Sequence, residues 1–258
     1  MFDAAKTKEQ IIQWIKDYFN DNQPDTPYPK DTPNPGDTQG LFAVIGISGG
    51  KDSTITAALC AQALGADRVF GVLMPCGEQW DLSVCHDVVQ FLGIQYCVID
   101  IKEITDAFSG TIANSGLLMN RQAAINVPAR IRMAVLYAVS AIVKGRVANT
   151  CNLSENWVGY STKFGDSAGD FSPLSQFTVT ELKALGRELG LPPQFIDKTP
   201  EDGLSGLTDE ENLGFSYATL DKYIRSGLCE DMAVKEKIDR LHKTGLHKIN
   251  AMPCFNRL

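Results

Sequence analysis

The chain has 258 residues, 44% hydrophobic and 21% charged, with a formal net charge of −7. That length accommodates one large α/β domain or two small ones. The acidity argues against nucleic acid as the main partner, and no apolar run approaches the ~20 residues that span a bilayer. The seven cysteines (60, 76, 85, 97, 151, 229 and 254) are odd in number and form no C-x-x-C pair, which excludes a disulfide framework, a zinc site and an iron–sulfur site. No basic segment followed by an apolar core opens the chain, so the expectation is a cytoplasmic protein with packed thiols.

Ile11, Trp14, Ile15, Tyr18 and Phe19 recur at the spacing of one helical face, so residues 1–20 read as an amphipathic helix. Its stripe packs either on its own domain or on a second subunit. Residues 21–40 hold five prolines (24, 27, 29, 33 and 35) and read as an extended connector, with the catalytic domain expected over 41–258. Strands are predicted at 41–47, 68–74, 94–101 and 146–150, alternating with helices at 53–64, 81–92 and 102–112. A long helix is expected to open at Pro128, with Ile131, Val135, Ala138 and Ile142 as its buried stripe. This alternation predicts a parallel sheet with helices on both faces. Ligands on such sheets gather at the carboxyl ends of the strands, where 46–53, 74–79 and 150–155 all fall.

After Glu155 the pattern changes. Residues 158–174, rich in Gly, Ser and Asp, read as a functional loop. Capping boxes at Thr178–Glu181 and Thr208–Glu211 open two helices, the second running to about 224. Residues 197–207 form another loop. A last helix at 230–243 stops at Gly245 and leaves 247–250 as a tail.

The stretch around which the chain is organised is Gly46, Ile47, Ser48, Gly49, Gly50, Lys51, Asp52 and Ser53, between a buried strand and a helix. Paired glycines let the backbone approach a ligand closely, and N–H groups at a helix start favour phosphate. A Walker A loop would need glycine at 45 and Ser or Thr at 52, where the chain has Ile45 and Asp52; the dinucleotide G-x-G-x-x-G fingerprint fails at once. Asp52 would repel phosphate unless a divalent cation such as Mg²⁺ sat between them. Glu155, just past the fourth strand, is either a second metal ligand or a solvated first-turn glutamate. Arg130 is either a phosphate or carboxylate clamp or a surface salt-bridge partner.

The loop resembles that of the N-type ATP pyrophosphatases, which cleave ATP between the α- and β-phosphates. With Asn126–Met133, Asn149-Thr150 followed by Glu155, Gly159-to-Asp170 through Thr-Lys163-Phe-Gly-Asp166, Thr208-Asp-Glu with Gly214-x-x-Tyr217, and His247-Lys248, the order is similar to that of ammonia-dependent NAD⁺ synthetases over about residues 41–250. The resemblance implies a Rossmann-like fold of the adenine nucleotide α-hydrolase type and a ligase of NAD biosynthesis. ATP would activate deamido-NAD⁺ as an adenylate and ammonia would displace AMP. It implies that residues 46–53 hold the pyrophosphate, Thr150 contacts ATP, and Asp52 and Glu155 hold Mg²⁺. Arg130, Lys163, Asp170, His247 and Lys248 would meet deamido-NAD⁺, with Asp52, Lys163 and Asp166 serving catalysis. A homodimer is implied, with the helix at 128–143 and the N-terminal stripe as candidate contacts, and neither nucleic acid nor membrane as partner. Two departures stand out: Val179 where many relatives carry an ATP-binding lysine, and Glu201 after Pro200 in the lid. They motivate the rival of a catalytically impaired nucleotide-binding protein; a tRNA-modifying adenylating enzyme is the other.

Overall fold

The computed structural model describes residues 2–22, 40–78, 82–197 and 208–255. Most of the proline-rich connector and residues 198–207 of the second loop, including Glu201, lie outside them. Four parallel strands, β1 (Phe42–Gly46), β2 (Val69–Leu73), β3 (Gln95–Val98) and β4 (Gly145–Val147), form one sheet in the order β3-β2-β1-β4. Ala43 pairs with Val69 on one side of β1 and with Arg146 on the other. The chain steps outward from β1 to β2 to β3, then returns across the sheet to add β4 on the far side. The order therefore reverses between β1 and β4, and the crevice above that point is where such sheets take ligands.

Strand periodicity divides the core. Ala43 and Ile45 face a cluster with α1 (Ala4–Asp21), α2 (Lys51–Leu64), α3 (Leu82–Leu92) and α7 (Val179–Glu188), while Phe42 and Val44 face α5 (Arg121–Val143). The stripe of α1 packs within its own subunit: Ile11, Ile15 and Phe19 are buried against α2 and α7, each contributing about 1.5–3 kcal/mol. Trp14 stays partly exposed, with Tyr18 stacked on Phe171. Between β3 and α5 runs α4 (Lys102–Asn114).

Helix α5 corrects two expectations. It opens at Arg121, not at Pro128, because Asn120 caps it by accepting a hydrogen bond from Ala123 N at 2.9 Å, and Pro128 lies inside it. Beyond Val127 and Pro128 its buried residues are Met133, Leu136, Val139, Ser140 and Val143, displaced from the expected stripe; Ile131 and Val135 are half-buried, and Ala138 and Ile142 are exposed. By length and apolarity α5 passes as a membrane span, but its buried face lies on β1 and β4.

The second half is a helical layer: α6 (Leu153–Val158), α8 (Pro193–Ile196), α9 (Asp209–Leu213), α10 (Tyr217–Ser226) and α11 (Met232–Ile249), with Val158, Val179, Leu213, Tyr217 and Ile238 in a third core. The single helix expected after Thr208 is two, broken where Gly214 turns at φ +75° and Ser216 caps α10. Gly245 does not stop α11. It lies where α11 crosses the end of α6, and a Cβ on Gly159 would stand 2.7 Å from its Cα. His247 and Lys248 therefore belong to the last turn of a helix rather than to a tail.

Candidate active site

The loop from Ser48 to Ser53 is held in shape by its own side chains. Gly49 takes φ +72°, a left-handed turn that a side chain would strain, and a Cβ there would press on Val84 and Cys85. The Ser48 and Ser53 hydroxyls lie 3.1 Å apart, Gly50 N donates to Ser48 Oγ at 3.3 Å, and Thr54 Oγ1 donates to Gly50 O at 2.8 Å. Helix α2 begins at Lys51, two residues earlier than expected, so its first N–H groups lie just past the carboxyl end of β1, where they suit an anion.

Glu155 is brought to the same place by a short helix absent from the expected elements. Asn152 caps α6: its Oδ1 accepts from Glu155 N at 2.9 Å, while its own N–H donates to Glu155 Oε2 at 3.4 Å. The Asn152 amide also reaches across to Asp52 Oδ1 at 3.4 Å and ties the two acid-bearing elements together. Ser154, the residue before Glu155, donates to buried Asp221 of α10 at 2.5 Å, and Asp221 in turn accepts from Thr180 N of α7 at 2.7 Å. Glu155 keeps some exposed surface as a residue, yet crowding round its carboxyl, and secondarily the charge of Asp52, push that group up to about 8.

Lys51 completes the centre. It is 3% exposed, its ammonium sits 2.9 Å from Asp52 Oδ2, and it lies 5.9 Å from the centroid of the Tyr217 ring. Burial alone would lower its pKa, but Asp52, Glu155 and Asp209 together raise it. Tyr217 in turn donates to Asp209 Oδ2 at 3.2 Å, and burial first, with the surrounding carboxylates, raises its phenol well above the ordinary value. Asn152, Asp209 and Tyr217 are thus site residues to which the sequence reading assigned no role. The legible signal was the Asn152–Glu155 capping box, the same device as the two threonine boxes.

Among the described residues, no group of three or more His, Cys, Asp and Glu side chains is arranged to hold a metal unaided. The pair Asp52 and Glu155 nevertheless fits Mg²⁺. Both offer hard oxygen donors, and burial with the charge of Asp52 makes the Glu155 carboxyl resist ionising even with Lys51 beside it, so a further positive charge would be favoured there. An octahedral ion would take its remaining ligands from phosphate and water. Cys151 is no nucleophile. It is buried, its thiol donates to Asp166 O at 3.3 Å, and burial foremost raises its pKa well above the usual value.

The residues expected to meet the dinucleotide form a second group around the loop at 159–172. Arg130, exposed on α5, donates from Nε to Lys163 O at 3.3 Å, and Lys163 Nζ donates to His247 O at 2.6 Å. Lys248 Nζ donates to Gly159 O and Ser161 O at 2.7 and 2.8 Å, and His247 Nδ1 lies 2.8 Å from Thr244 O. Asp166 accepts from Thr162 N at 2.7 Å, and burial foremost raises its carboxyl. Asp170 accepts from Val147 N at 2.7 Å and from the Tyr137 hydroxyl at 3.4 Å. Asp170 and Lys248 share the lining of an open cleft of about 320 Å³ with Asn149, Phe171 and Ser172. Thr150, half-buried, follows Asn149 at the end of β4.

A phosphate-cradling turn and an acid pair at the switch point of a parallel sheet define a nucleotide-binding α/β protein of the kind that activates a substrate with ATP. Comparison with known proteins narrows the class. The family model for NAD synthase matches residues 37–255. The NH₃-dependent NAD⁺ synthetase of Methanosarcina acetivorans is 40% identical over 252 residues, 95% of this chain and 89% of that protein. Among solved structures, the NMN synthetase of Francisella tularensis aligns with TM-score 0.85 at 27% identity, covering 100% of both chains. The NH₃-dependent NAD synthetase of Campylobacter jejuni aligns with TM-score 0.75 at 27% identity, covering 99% of this chain and 100% of that one. The chain belongs to the NAD synthase family, which favours that reading over a tRNA-modifying enzyme.

Proposed function

We propose that the chain is an ammonia-dependent ligase that converts deamido-NAD⁺ to NAD⁺ at the expense of ATP, releasing AMP and pyrophosphate. The observation that carries this reading is the convergence of the 46–53 loop, Asp52 and Glu155 at one end of the β1–β4 crevice in a chain of this family. A carboxylate oxygen of deamido-NAD⁺ attacks the α-phosphorus of ATP, and the bond to the bridging oxygen breaks toward pyrophosphate. Ammonia then attacks the acyl carbon, loses a proton, and AMP departs with the electrons of the C–O bond.

The chemistry separates concentrated negative charge, so positioning and fixed dipoles supply most of the rate. The glycine turn and the start of α2 hold the departing pyrophosphate. Asp52 and Glu155 would hold Mg²⁺, which when bound neutralises charge on the phosphates. Thr150 borders the ATP side. Asp170 and Lys248 line the dinucleotide cleft, and Arg130, Lys163, Asp166 and His247 shape the loop that shields the adenylate from water. Val179 is buried in the third core, so its side chain serves packing.

The protein is proposed to act as a homodimer through the exposed apolar side of α4 and α5, where Ile104, Phe108, Tyr137 and Ile142 reach solvent. Sedimentation as a monomer at micromolar concentration would reject this. The fit to the Francisella NMN synthetase over the whole chain makes nicotinate mononucleotide the second acceptor to test. Purified protein is incubated with ATP, Mg²⁺, ammonium and either acid. NAD⁺ and AMP from deamido-NAD⁺ are expected. Turnover of the mononucleotide alone would move the specificity, and failure with both would reject the function.

A further inference from the structure

Lysine is an unexpected tenant at position 51. It opens α2, where the helix dipole disfavours a cation, and helical backbone there accepts almost any residue. A lysine in that place ordinarily extends into water. This one instead turns inward, 3% exposed, and ends between Asp52 at 2.9 Å and the face of Tyr217 at 5.9 Å. Tyr217 is bonded to buried Asp209, and the same pocket holds Glu155. Taking an ammonium and several carboxylates out of water together is unfavourable unless they neutralise one another. The ammonium thus stands beside the carboxylate that a divalent ion would use.

We propose that Lys51 is a resident stand-in for the divalent cation: with no nucleotide bound, its ammonium pairs with Asp52, beside Glu155 and Asp209, and keeps the metal out. The inference rests on the proposed assignment of Asp52 and Glu155 as metal ligands. When ATP arrives, its phosphates offer the ammonium a new partner within reach of a flexible four-carbon stem. Asp52 is then released to the ion that accompanies ATP. Lys51 is a positioning residue in this scheme: it decides when the metal enters and takes no part in bond making. An enzyme built this way binds metal and nucleotide together and stays unloaded when ATP is scarce.

The test uses Mn²⁺ as the probe, read by electron paramagnetic resonance, on the wild type, Lys51→Met and Lys51→Gln, with and without a non-hydrolysable ATP analogue. Wild type is expected to take up Mn²⁺ only with the analogue. Both variants should bind Mn²⁺ alone at least ~10-fold more tightly than wild type, and Mg²⁺ alone should raise their Tm while leaving wild type unmoved. Tight Mn²⁺ binding by wild type without nucleotide, or variants that gain neither affinity nor Tm, would overturn the proposal. A variant that is soluble only in Mg²⁺ supports it, and one that stays insoluble in Mg²⁺ counts against it. Wild-type amidation is assayed in parallel: an active enzyme that binds Mn²⁺ alone loses only the stand-in role, and an inactive one rejects the function whatever the metal data show.

Discussion

The two ends of the crevice are prepared differently. At the proposed phosphate end, the glycine turn, the Ser48–Ser53 contact, the Asn152 cap and the buried Lys51 and Asp209 hold Asp52 and Glu155 in one geometry before any ligand arrives. At the proposed dinucleotide end, the cations are spent on the protein itself: Lys163 and Lys248 sit on backbone carbonyls of α11 and of the loop, and Arg130 on the carbonyl of Lys163. Stabilising a leaving pyrophosphate requires fixed dipoles, whereas admitting a large dinucleotide requires a loop that opens. The first end is organised as a rigid electrostatic site and the second as a laced cover.

That contrast is broken most sharply at the phosphate end. Glu155→Gln keeps the Asn152 cap but removes a charge, and should lower kcat for NAD⁺ formation by ~10²–10³ with the fold retained, as followed by product chromatography and circular dichroism. Next in size is Gly245→Ala. Its methyl would stand 2.8 Å from Gly159 Cα, so α11 must move off the helix that carries Glu155. A stability loss of ~1–3 kcal/mol in urea titration is expected, together with reduced activity. At the covered end, Lys248→Met unlaces Gly159 and Ser161. It should raise KM for the dinucleotide more than it lowers kcat and speed proteolysis within the loop at 159–172; an unchanged KM would refute the cover.

A pH dependence of stability is expected as well. The Glu155 carboxyl is pushed up to about 8 by burial and by Asp52, against an ordinary value of 4.5. Between those values the folded, metal-free protein keeps a proton that the unfolded chain has released. The contribution is complete below about pH 4.5 and is lost as pH rises through about 8. Tm should fall over that window in the wild type, and Glu155→Gln should flatten the slope.

How legible each part was follows from how local its cause is. The turn at 46–53, the capping boxes at Thr178 and Thr208 and the first two strands rest on neighbours in sequence and stand where expected, whereas the third strand is shorter, Gln95–Val98 within 94–101, and the fourth is Gly145–Val147 rather than 146–150. Pro128 misled because a proline suits a first turn, yet here Asn120 nucleates the helix two turns earlier. The α5 stripe shifted because which face is buried depends on β1 and β4, and an apolar helix carries more than one candidate face. Gly245 looked like a stop signal, but its reason is a long-range one: the backbone of Gly159 needs the space. Lys51 was read as part of a phosphate loop. Its burial depends on Asp209 and Tyr217, far along the chain.

The central claim is that Asp52 and Glu155 serve the departure of pyrophosphate. It is tested most directly by rapid-quench pyrophosphate release with deamido-NAD⁺, ATP and Mg²⁺ present and ammonia withheld. The wild type should release a burst of roughly one pyrophosphate per active site, and Glu155→Gln should show none on that timescale. No release until ammonia is added, or an undiminished burst in the variant, would contradict it.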